Sequence, residues 1–216
     1  MLQQKKNSTA GKTWEERKVG RVIPKKSPIF HQGDKVKHFY KVNSGLVMIY
    51  RLLEDSQRQI TGFCTAGDFF GLSADGVYHD TAMTVATSNI VSVTMADVSA
   101  DANLQAELFY RTCSQLEEAQ SMMMTLSKKS SAEKVAAFLV MLAKRQGSPS
   151  MLRPQEVDIS LPMSRTDIAD YLGLTIETVS RRLTDLKCEG VIRLPSRHTA
   201  HICQLRKLKY MAGALG

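Results

Sequence analysis

The stretch LPMSRTDIADYLGLTIETVSRRL, residues 161–183, decides the fold of this chain. Its first half predicts a short helix, because Ser164 is a favourable N-cap and Asp167 can complete a capping box three residues later. Gly173 supplies the left-handed backbone that ends such a helix, and Thr175 can cap a second helix directly after it. Two short helices joined by such a tight turn are typical of a helix-turn-helix, whose second helix lies in the major groove of DNA.

The second helix of this pair has one apolar and one polar face. Its inward face follows the spacing i, i+3, i+7 and is expected to consist of Ile176, Val179 and Leu183. The outward face carries Glu177, Ser180 and Arg181, a set called the reading face below. Arg181 can form two hydrogen bonds with guanine, Glu177 can accept one from cytosine, and Ser180 can contact a thymine methyl or a phosphate. Glu177 and Arg181 are four residues apart, so they can also pair with each other.

Taken singly, the same residues have simpler explanations. Glu177 in the first turn could only complement the helix dipole, and Arg181 could be an ordinary solvated arginine. The whole pattern over residues 161–183 favours DNA recognition. The run SRTDIADYLGLTIETVSRRL, residues 164–183, closely resembles the DNA-binding motif of the CRP/FNR superfamily of bacterial transcription regulators.

The E-T-V-S-R core of that run is similar to the FNR and FixK-like branch of the superfamily. In that branch the Glu, Ser and Arg at these positions read the TTGA half of a palindromic site. The resemblance therefore implies base reading by Glu177, Ser180 and Arg181, and an operator of the form TTGA…TCAA. It also implies a homodimer and an activator that contacts RNA polymerase through the surface around Thr61–Thr65 and neighbouring loops.

Charge is distributed unevenly along the 216 residues. The net charge is +8, of which residues 128–216 contribute +7 (15 Lys and Arg against 8 Asp and Glu). A nearly neutral first part and a basic second part indicate that only the second part meets a polyanion. No apolar run is long enough to span a bilayer and the N-terminus lacks an apolar signal core, so we expect a cytoplasmic protein without a membrane partner.

Residues 1–18 are polar and lysine-rich, and we interpret them as a flexible arm. Residues 19–99 alternate with a period of two in short segments such as HFYKV, LVMIYRLL, RQITGF and IVSVTM. Gly33-Asp34 and Gly67-Asp68 indicate two related turns, which predicts a jelly-roll-like β-roll. FHQGD, FYKVNSGLVMIYR and ITGFCTAGDFFG resemble the turns of the sensor domain in the same superfamily.

The chain departs from the superfamily members that bind cyclic AMP or an iron–sulfur cluster. Leu72 and Ser73 stand where the nucleotide-binding members carry an acid, and His79-Asp80-Thr81 stands in place of their phosphate-binding arginine. No cysteine precedes Cys64, whereas an iron–sulfur cluster needs about four thiolates. We therefore expect no cofactor and no cyclic nucleotide. A different small molecule in the β-roll, gating DNA binding, remains the alternative.

Residues 100–127 have a helical pattern. Phe109, Leu116 and Met123 recur every seven residues, and Ala119 and Leu126 follow the last two by three. This set, called the stripe below, is typical of a coiled-coil dimer interface about three heptads long. The alternative is that the stripe packs on the β-roll of its own chain. The superfamily resemblance implies dimerisation through this helix.

Residues 128–216 are predicted to form a winged helix-turn-helix domain, which makes the whole chain α+β. The apolar helix AEKVAAFLVMLAKRQG precedes the strand VDISL and the helix-turn-helix, and VIRLP and HICQL form the wing. Arg193, Arg197 and His198 in the wing either contact phosphate or are simply solvated. Hydroxyl and guanidinium groups assigned to phosphate contact are Ser164, Thr175, Thr178, Arg182 and Arg197.

The four cysteines lie far apart, so they do not indicate a metal site. Cys188 follows Lys187 near the end of the recognition helix, where oxidation would weaken DNA binding if this basic surrounding favours the thiolate. The alternative is a half-buried thiol between helix and wing. No nucleophile–base pattern, phosphate loop or metal-ligand set indicates an enzyme. A non-specific architectural DNA binder is a further alternative, but it would not need the reading face.

Overall fold

The computed structural model describes residues 19–54, 57–146 and 155–213. The flexible arm predicted for residues 1–18 lies outside this range. Eight short strands come first, a long helix follows, and a smaller unit of helices and three strands ends the chain. This order confirms the predicted α+β class.

The first unit is a roll made of two antiparallel four-stranded sheets, with the orders β1-β8-β3-β6 and β2-β7-β4-β5. Successive side chains of a strand point to opposite faces of its sheet, which is why the period of two in the sequence predicted these strands. The strands are β1 (Arg21–Ile23), β2 (Pro28–Phe30), β3 (Phe39–Ser44), β4 (Val47–Leu52), β5 (Arg58–Cys64), β6 (Phe69–Phe70), β7 (Thr81–Thr84) and β8 (Ser88–Val93).

Two turns of this roll repeat the same local structure, as the two Gly-Asp pairs predicted. Gly33 and Gly67 have φ values of 90° and 89°, which residues with a side chain rarely adopt. In the second turn the Asp68 carboxylate accepts a hydrogen bond from the Thr65 amide at 2.8 Å, and in the first Asp34 does the same for His31 at 3.0 Å. Each aspartate thus closes its own turn.

A short helix α1 (Met95–Ala100) leads into the long helix α2 (Ala102–Lys128). Asp101 caps α2 by accepting hydrogen bonds from the amides of Asn103 and Leu104. The 27 residues of α2 correspond to a length of about 40 Å. Leu104 and Thr125 are buried near its two ends, whereas most of its middle is open. None of the helices in the described ranges combines the length and the apolar character needed to cross a bilayer.

The second unit begins with helix α3 (Ser131–Gln146), after the two linking residues Lys129 and Ser130. Helix α3 buries Phe138, Leu139 and Leu142 completely, and the helix-turn-helix packs against it. Its three strands form an antiparallel sheet of order β10-β11-β9. The elements are α3 (Ser131–Gln146), β9 (Val157–Ser160), α4 (Arg165–Leu172), α5 (Ile176–Cys188), β10 (Ile192–Ser196), β11 (Thr199–Ile202) and α6 (Leu205–Met211).

Helix α6 was not predicted, because the sequence LRKLKYM offers little apolar periodicity. It buries Leu208 against the core, and the carbonyl of Ala212 just after it accepts a hydrogen bond from Lys129 at 2.5 Å. One hydrophobic core runs through both units, because Met48, Ile60 and Phe63 of β4 and β5 belong to the same buried cluster as α3, α4 and α5. The sheet formed by β2, β7, β4 and β5 therefore supports the helix-turn-helix.

Candidate nucleic-acid interface

Helix α4 has the ends that its sequence predicts. The Ser164 hydroxyl accepts a hydrogen bond from the Asp167 amide at 3.0 Å, and the Asp167 carboxylate accepts one from the Ser164 amide at 2.8 Å. This is a complete capping box. Gly173 ends the helix in the left-handed conformation, with φ 61° and ψ 46°. Ile168, Ala169 and Leu172 are buried, so α4 is a fixed support for the helix that follows.

Helix α5 is capped by Thr175, whose hydroxyl accepts a hydrogen bond from the Thr178 amide at 3.2 Å. Its buried face consists of Val179, Leu183 and Leu186. The prediction that Ile176 faces inward is wrong, since this side chain is 42% exposed. The apolar face begins one turn later than predicted and extends to Leu186 instead.

The reading face is open to solvent: Glu177, Ser180 and Arg181 are all exposed on α5. Among the described residues, neither Glu177 nor Arg181 has an ion-pair partner, so the internal pair that their spacing allowed is not formed. Their hydrogen-bonding groups are therefore directed to solvent. An exposed row of donors and acceptors on a helix that is buried along its opposite side is the arrangement that reads base edges.

The predicted phosphate contacts fall into two groups. Ser164, Thr175 and Arg197 are exposed and Thr178 is half-buried, at the start of α4, in the first turn of α5 and at the tip of the wing. Arg182 lies elsewhere: its guanidinium donates to the Ser131 hydroxyl at 3.0 Å and pairs with Asp185 at 3.0 Å. Arg182 is thus engaged within the protein, between α5 and the start of α3.

In the wing, Arg193 and His198 are exposed. The ring of His198 lies 3.3 Å from the carbonyl oxygen of Leu161, so its imidazole also has an internal partner. Arg165, the first residue of α4, was not singled out from the sequence. One terminal nitrogen of its guanidinium is buried without a hydrogen-bond partner among the described residues, and burial lowers the pKa of Arg165. Its position directly after the N-cap Ser164 was the available signal, because helix N-termini bind anions.

Comparison with known proteins agrees with this geometry. Residues 133–211 match the family model described as a Crp-like helix-turn-helix domain, and residues 20–100 match the cyclic nucleotide-binding domain. The nitrogen fixation regulation protein FixK of Azorhizobium caulinodans is 40% identical over 81% of this chain and 71% of its own length. FixK of Rhizobium meliloti is 39% identical over 84% of this chain and 81% of its own length.

The chain belongs to the CRP/FNR family of transcription regulators. Among solved structures, FixK2 from Bradyrhizobium japonicum superposes with a TM-score of 0.81 at 28% identity, covering 92% of this chain and 99% of that chain. The fumarate and nitrate reduction regulatory protein of Escherichia coli is 34% identical over 82% of this chain and 74% of its own length. The predicted resemblance to the FixK-like branch of the CRP/FNR family is thereby confirmed.

Aromatic rings stack inside the β-roll of this CRP/FNR-family protein. Phe30 and Tyr78 stack with their ring centroids 3.8 Å apart, and Tyr40 stacks on Phe70 at 5.4 Å. Burial, with a hydrogen bond to Tyr78, raises the pKa of Tyr40, so its hydroxyl stays neutral. A side chain at Gly71 would meet the Phe30 ring at 3.0 Å, which shows how closely the rings approach the backbone.

The loop with His79 and Asp80, where the resemblance to nucleotide-binding members implies a phosphate-binding arginine, carries two carboxylates. Asp80 pairs with Arg51 at 3.1 Å, and Asp75 lies 3.0 Å from the ring of His79. A hydrogen bond from Ser73, followed by one from the Val77 amide, lowers the pKa of Asp75 and keeps it ionised. Two carboxylates at this place do not fit an anionic phosphate.

The stripe on α2 is mostly exposed. Phe109, Leu116 and Met123 are 73%, 59% and 63% exposed, and Ala119 is also exposed. The alternative that the stripe packs on its own β-roll is therefore wrong for these four residues. Leu126 is half-buried and packs against the core of its own chain. An apolar groove of about 830 Å³ lies between β5, β6 and α2, and Leu72, Met123 and Leu126 are among its walls.

The cysteines have distinct environments. Cys188, the last residue of α5, is exposed, so the alternative of a half-buried thiol between helix and wing does not hold. Cys64, the last residue of β5, is buried, and burial raises its pKa to about 12. Within the described ranges no three His, Cys, Asp or Glu side chains lie close enough to hold a metal ion.

Proposed function

We propose that this protein is a homodimeric, sequence-specific transcription activator that binds a TTGA…TCAA palindrome. The observation that carries the proposal is the open reading face of α5, held on a fully capped and buried helix-turn-helix. The matched Crp-like helix-turn-helix model and the FixK relatives support a DNA-binding regulator. The protein is expected to act on DNA in the cytoplasm.

Each residue of the reading face has a distinct role in the proposal. Arg181 forms two hydrogen bonds with the guanine of TTGA, and Glu177 accepts a hydrogen bond from the paired cytosine. Ser180 contacts the neighbouring thymine methyl or a phosphate. Because Glu177 and Arg181 lie one turn apart on one exposed face, both can reach the two bases of this G·C pair at once.

Phosphate contacts would fix the register of this helix without adding sequence information. Ser164, Thr175 and Arg197 are exposed and Thr178 is half-buried in the first turn of α5, which supports this role for them. Arg182 would have to give up its contacts with Ser131 and Asp185 to join them. The unpaired guanidinium nitrogen of Arg165 adds a further candidate at the start of α4.

The exposed stripe supports the proposed homodimer. Three large apolar side chains spaced by seven residues on one helix are costly to leave in water, and a second copy of the same helix would cover them. A two-fold axis along α2 would place the two copies of α5 in successive major grooves, about 34 Å apart. The inverted repeat of the operator mirrors that symmetry.

We further propose that no cyclic nucleotide or iron–sulfur cluster controls this activity. The carboxylates of Asp75 and Asp80 support the absence of a cyclic nucleotide, because they would repel a cyclic phosphate, and the lack of a cysteine before Cys64 argues against a cluster that needs about four thiolates. The alternative, gating by an unidentified apolar molecule, would have to use the groove beside α2 rather than the interior of the roll. RNA polymerase stays the proposed protein partner. Thr61 is exposed in the region assigned to it, whereas Phe63 and Cys64 are buried.

A gel-shift assay with the untreated protein tests the proposal. Protein without any added ligand should bind a TTGA palindrome in the presence of excess random competitor DNA, and the complex should contain two chains. Transcription from a promoter carrying the palindrome should rise with added protein. Binding that random DNA competes away equally well would identify an architectural binder instead. Binding that appears only with an added small molecule would favour the gated alternative.

A further inference from the structure

Strand β5 lies directly against the first helix of the helix-turn-helix. The ring of Phe63 on β5 contacts that of Tyr171 on α4 with the ring centroids 5.1 Å apart, and Phe138 of α3 completes the cluster. The covalent link between the two units is short, since only Lys129 and Ser130 separate α2 from α3. The orientation of the reading face therefore depends on what holds α4 to β5.

Arg58, the first residue of β5, holds α4 by a forked contact. Its guanidinium bonds to the Asp170 carboxylate at 2.6 and 2.9 Å and to the Asp167 carboxylate at 2.7 Å. The neighbouring Gln59 donates to the backbone carbonyl of Asp170 at 2.7 Å. Arg58 also lies over the ring of Tyr50, 5.7 Å from its centroid. This set of contacts is called the Arg58 clasp.

The Arg58 clasp is directional, unlike the apolar contacts around it. Burial of the aromatic rings favours association of the two units but not one particular angle between them. A guanidinium shared by two carboxylates one turn apart fixes both distance and angle. Burial lowers the pKa of Arg58, yet the hydrogen bonds to Asp170 and Asp167 outweigh it and leave the pKa raised, so Arg58 is always charged.

The Arg58 clasp reaches the DNA-facing side through Asp167. One carboxylate oxygen of Asp167 bonds to Arg58, and the other caps α4 through the amide and hydroxyl of Ser164. The contact leaves the reading face uncovered, because Glu177, Ser180 and Arg181 remain exposed while it is formed. It therefore does not block DNA. It also offsets part of the negative charge of Asp167 and Asp170 on α4.

A second arginine fixes the other end of the same strand. Arg145 of α3 donates to the carbonyl of Phe63 at 2.6 Å, lies 3.4 Å from the Asp68 carboxylate and pairs with Glu118 of α2. Strand β5 is thus tied to the second unit near both of its ends. These two directional attachments are expected to resist pivoting of the second unit about the short link after α2.

We propose that Arg58 is a positioning residue for DNA recognition, which sets the orientation of α4 and α5 relative to the dimerisation helix α2. The inference rests on the proposed function. In a dimer, the angle set at each Arg58 clasp fixes the distance between the two reading faces. Binding to a palindrome requires that the distance between the two reading faces match the fixed spacing of the two half-sites, whereas binding to random DNA has no such requirement. Loss of the Arg58 clasp therefore lowers affinity for the palindrome more than affinity for random DNA.

The test compares Arg58→Ala and Arg58→Lys with Arg51→Ala. Arg51 lies on β4, which pairs with β5 in the same hairpin, but its guanidinium pairs with Asp80 of the β-roll and not with α4. It is therefore a matched control for Arg58. Fluorescence anisotropy gives the affinity of each full-length variant for a TTGA palindrome and for random DNA of equal length, and thermal unfolding shows that each is folded. Arg58→Lys keeps the positive charge and the aliphatic part of the side chain but lacks the planar guanidinium that binds two carboxylates at once. It therefore tests whether the geometry of the contact matters beyond its charge.

Arg58→Ala should lose about 5- to 150-fold in affinity for the palindrome, the range of an ordinary coupling between sites. Arg58→Lys should lose part of this, and Arg51→Ala should bind as the unchanged protein does. Asp170→Asn should weaken binding too, and its combination with Arg58→Ala should cost no more than Arg58→Ala alone. A folded Arg58→Ala variant that binds the palindrome as tightly as Arg51→Ala, or that loses equally on random DNA, would overturn the inference. Failure of the unchanged protein to prefer the palindrome would instead refute the proposed function.

Discussion

Replacement of Arg181 by Ala tests the reading face most directly. The guanidinium is exposed and, within the described part of the chain, has no ion-pair partner, so the substitution should leave folding within about 0.5 kcal/mol. Any loss of DNA affinity would then come from the missing contacts between Arg181 and DNA and not from unfolding of the protein. A forked contact with guanine contributes about 1–3 kcal/mol of discrimination. Two half-sites that act additively give about 2–6 kcal/mol for the dimer, which is a loss of about 30-fold or more.

The assay measures the affinities of the unchanged protein, Arg181→Ala and Arg197→Ala on three duplexes. These are the TTGA palindrome, a variant with the guanine replaced in both halves, and random DNA. Arg181→Ala should bind the first two duplexes with a much smaller difference in affinity than the unchanged protein does, because the guanidinium that reads the guanine is gone and only Glu177 still reads that base pair. Arg197→Ala should weaken all three by a similar factor and reduce the salt dependence by about one unit per lost phosphate contact. An equal loss for Arg181→Ala on all three duplexes would show that Arg181 only grips the backbone, and the base-reading assignment would be wrong.

The remaining predictions concern the stripe, Cys188 and the turn between α4 and α5. Leu116→Glu should give monomers in sedimentation with weak operator binding, because a dimer would bury two unpaired carboxylates. The control Tyr110→Glu, on another side of α2, should stay dimeric. A stable Leu116→Glu dimer would place the interface elsewhere. Peroxide should weaken operator binding by the unchanged protein but not by Cys188→Ser. Replacement of the other exposed cysteine, Cys113→Ser, should leave the peroxide sensitivity of binding unchanged. If Cys188→Ser were as sensitive to peroxide as the unchanged protein, Cys188 would not be the redox-sensitive residue. Gly173→Ala should lower the free energy of unfolding by about 1–2 kcal/mol, because alanine disfavours the left-handed backbone with φ 61°. The added Cβ would meet no described residue other than its chain neighbours within 4 Å, so the cost should come from the backbone alone. An unchanged thermal midpoint would contradict this prediction.

The helix-turn-helix could be predicted from sequence because its signals are local. Ser164 and Asp167 lie within one turn of each other, and the left-handed residue at Gly173 follows eight residues of helix. The roll was predicted for a similar reason, since each Gly-Asp turn closes on a residue three positions earlier. Where the pattern was ambiguous, the prediction was wrong or missing. Ile176 has the spacing of a core residue but precedes the buried part of α5, and the apolar groups of α6 are separated by lysines.

The candidate base-reading residues followed from the same local pattern, but the contacts that orient them did not. Arg58 and Asp167 are 109 residues apart in the chain, and nothing in a strand pattern identifies the helix that its exposed side meets. In RQITGFC the alternation separates two faces without showing that one of them packs on a different unit. The orientation of the reading face is therefore a tertiary property, set by β5 and the arginines that tie it to α4 and α3. Substitutions at these arginines should alter the choice between operator and random DNA although neither residue belongs to the reading face.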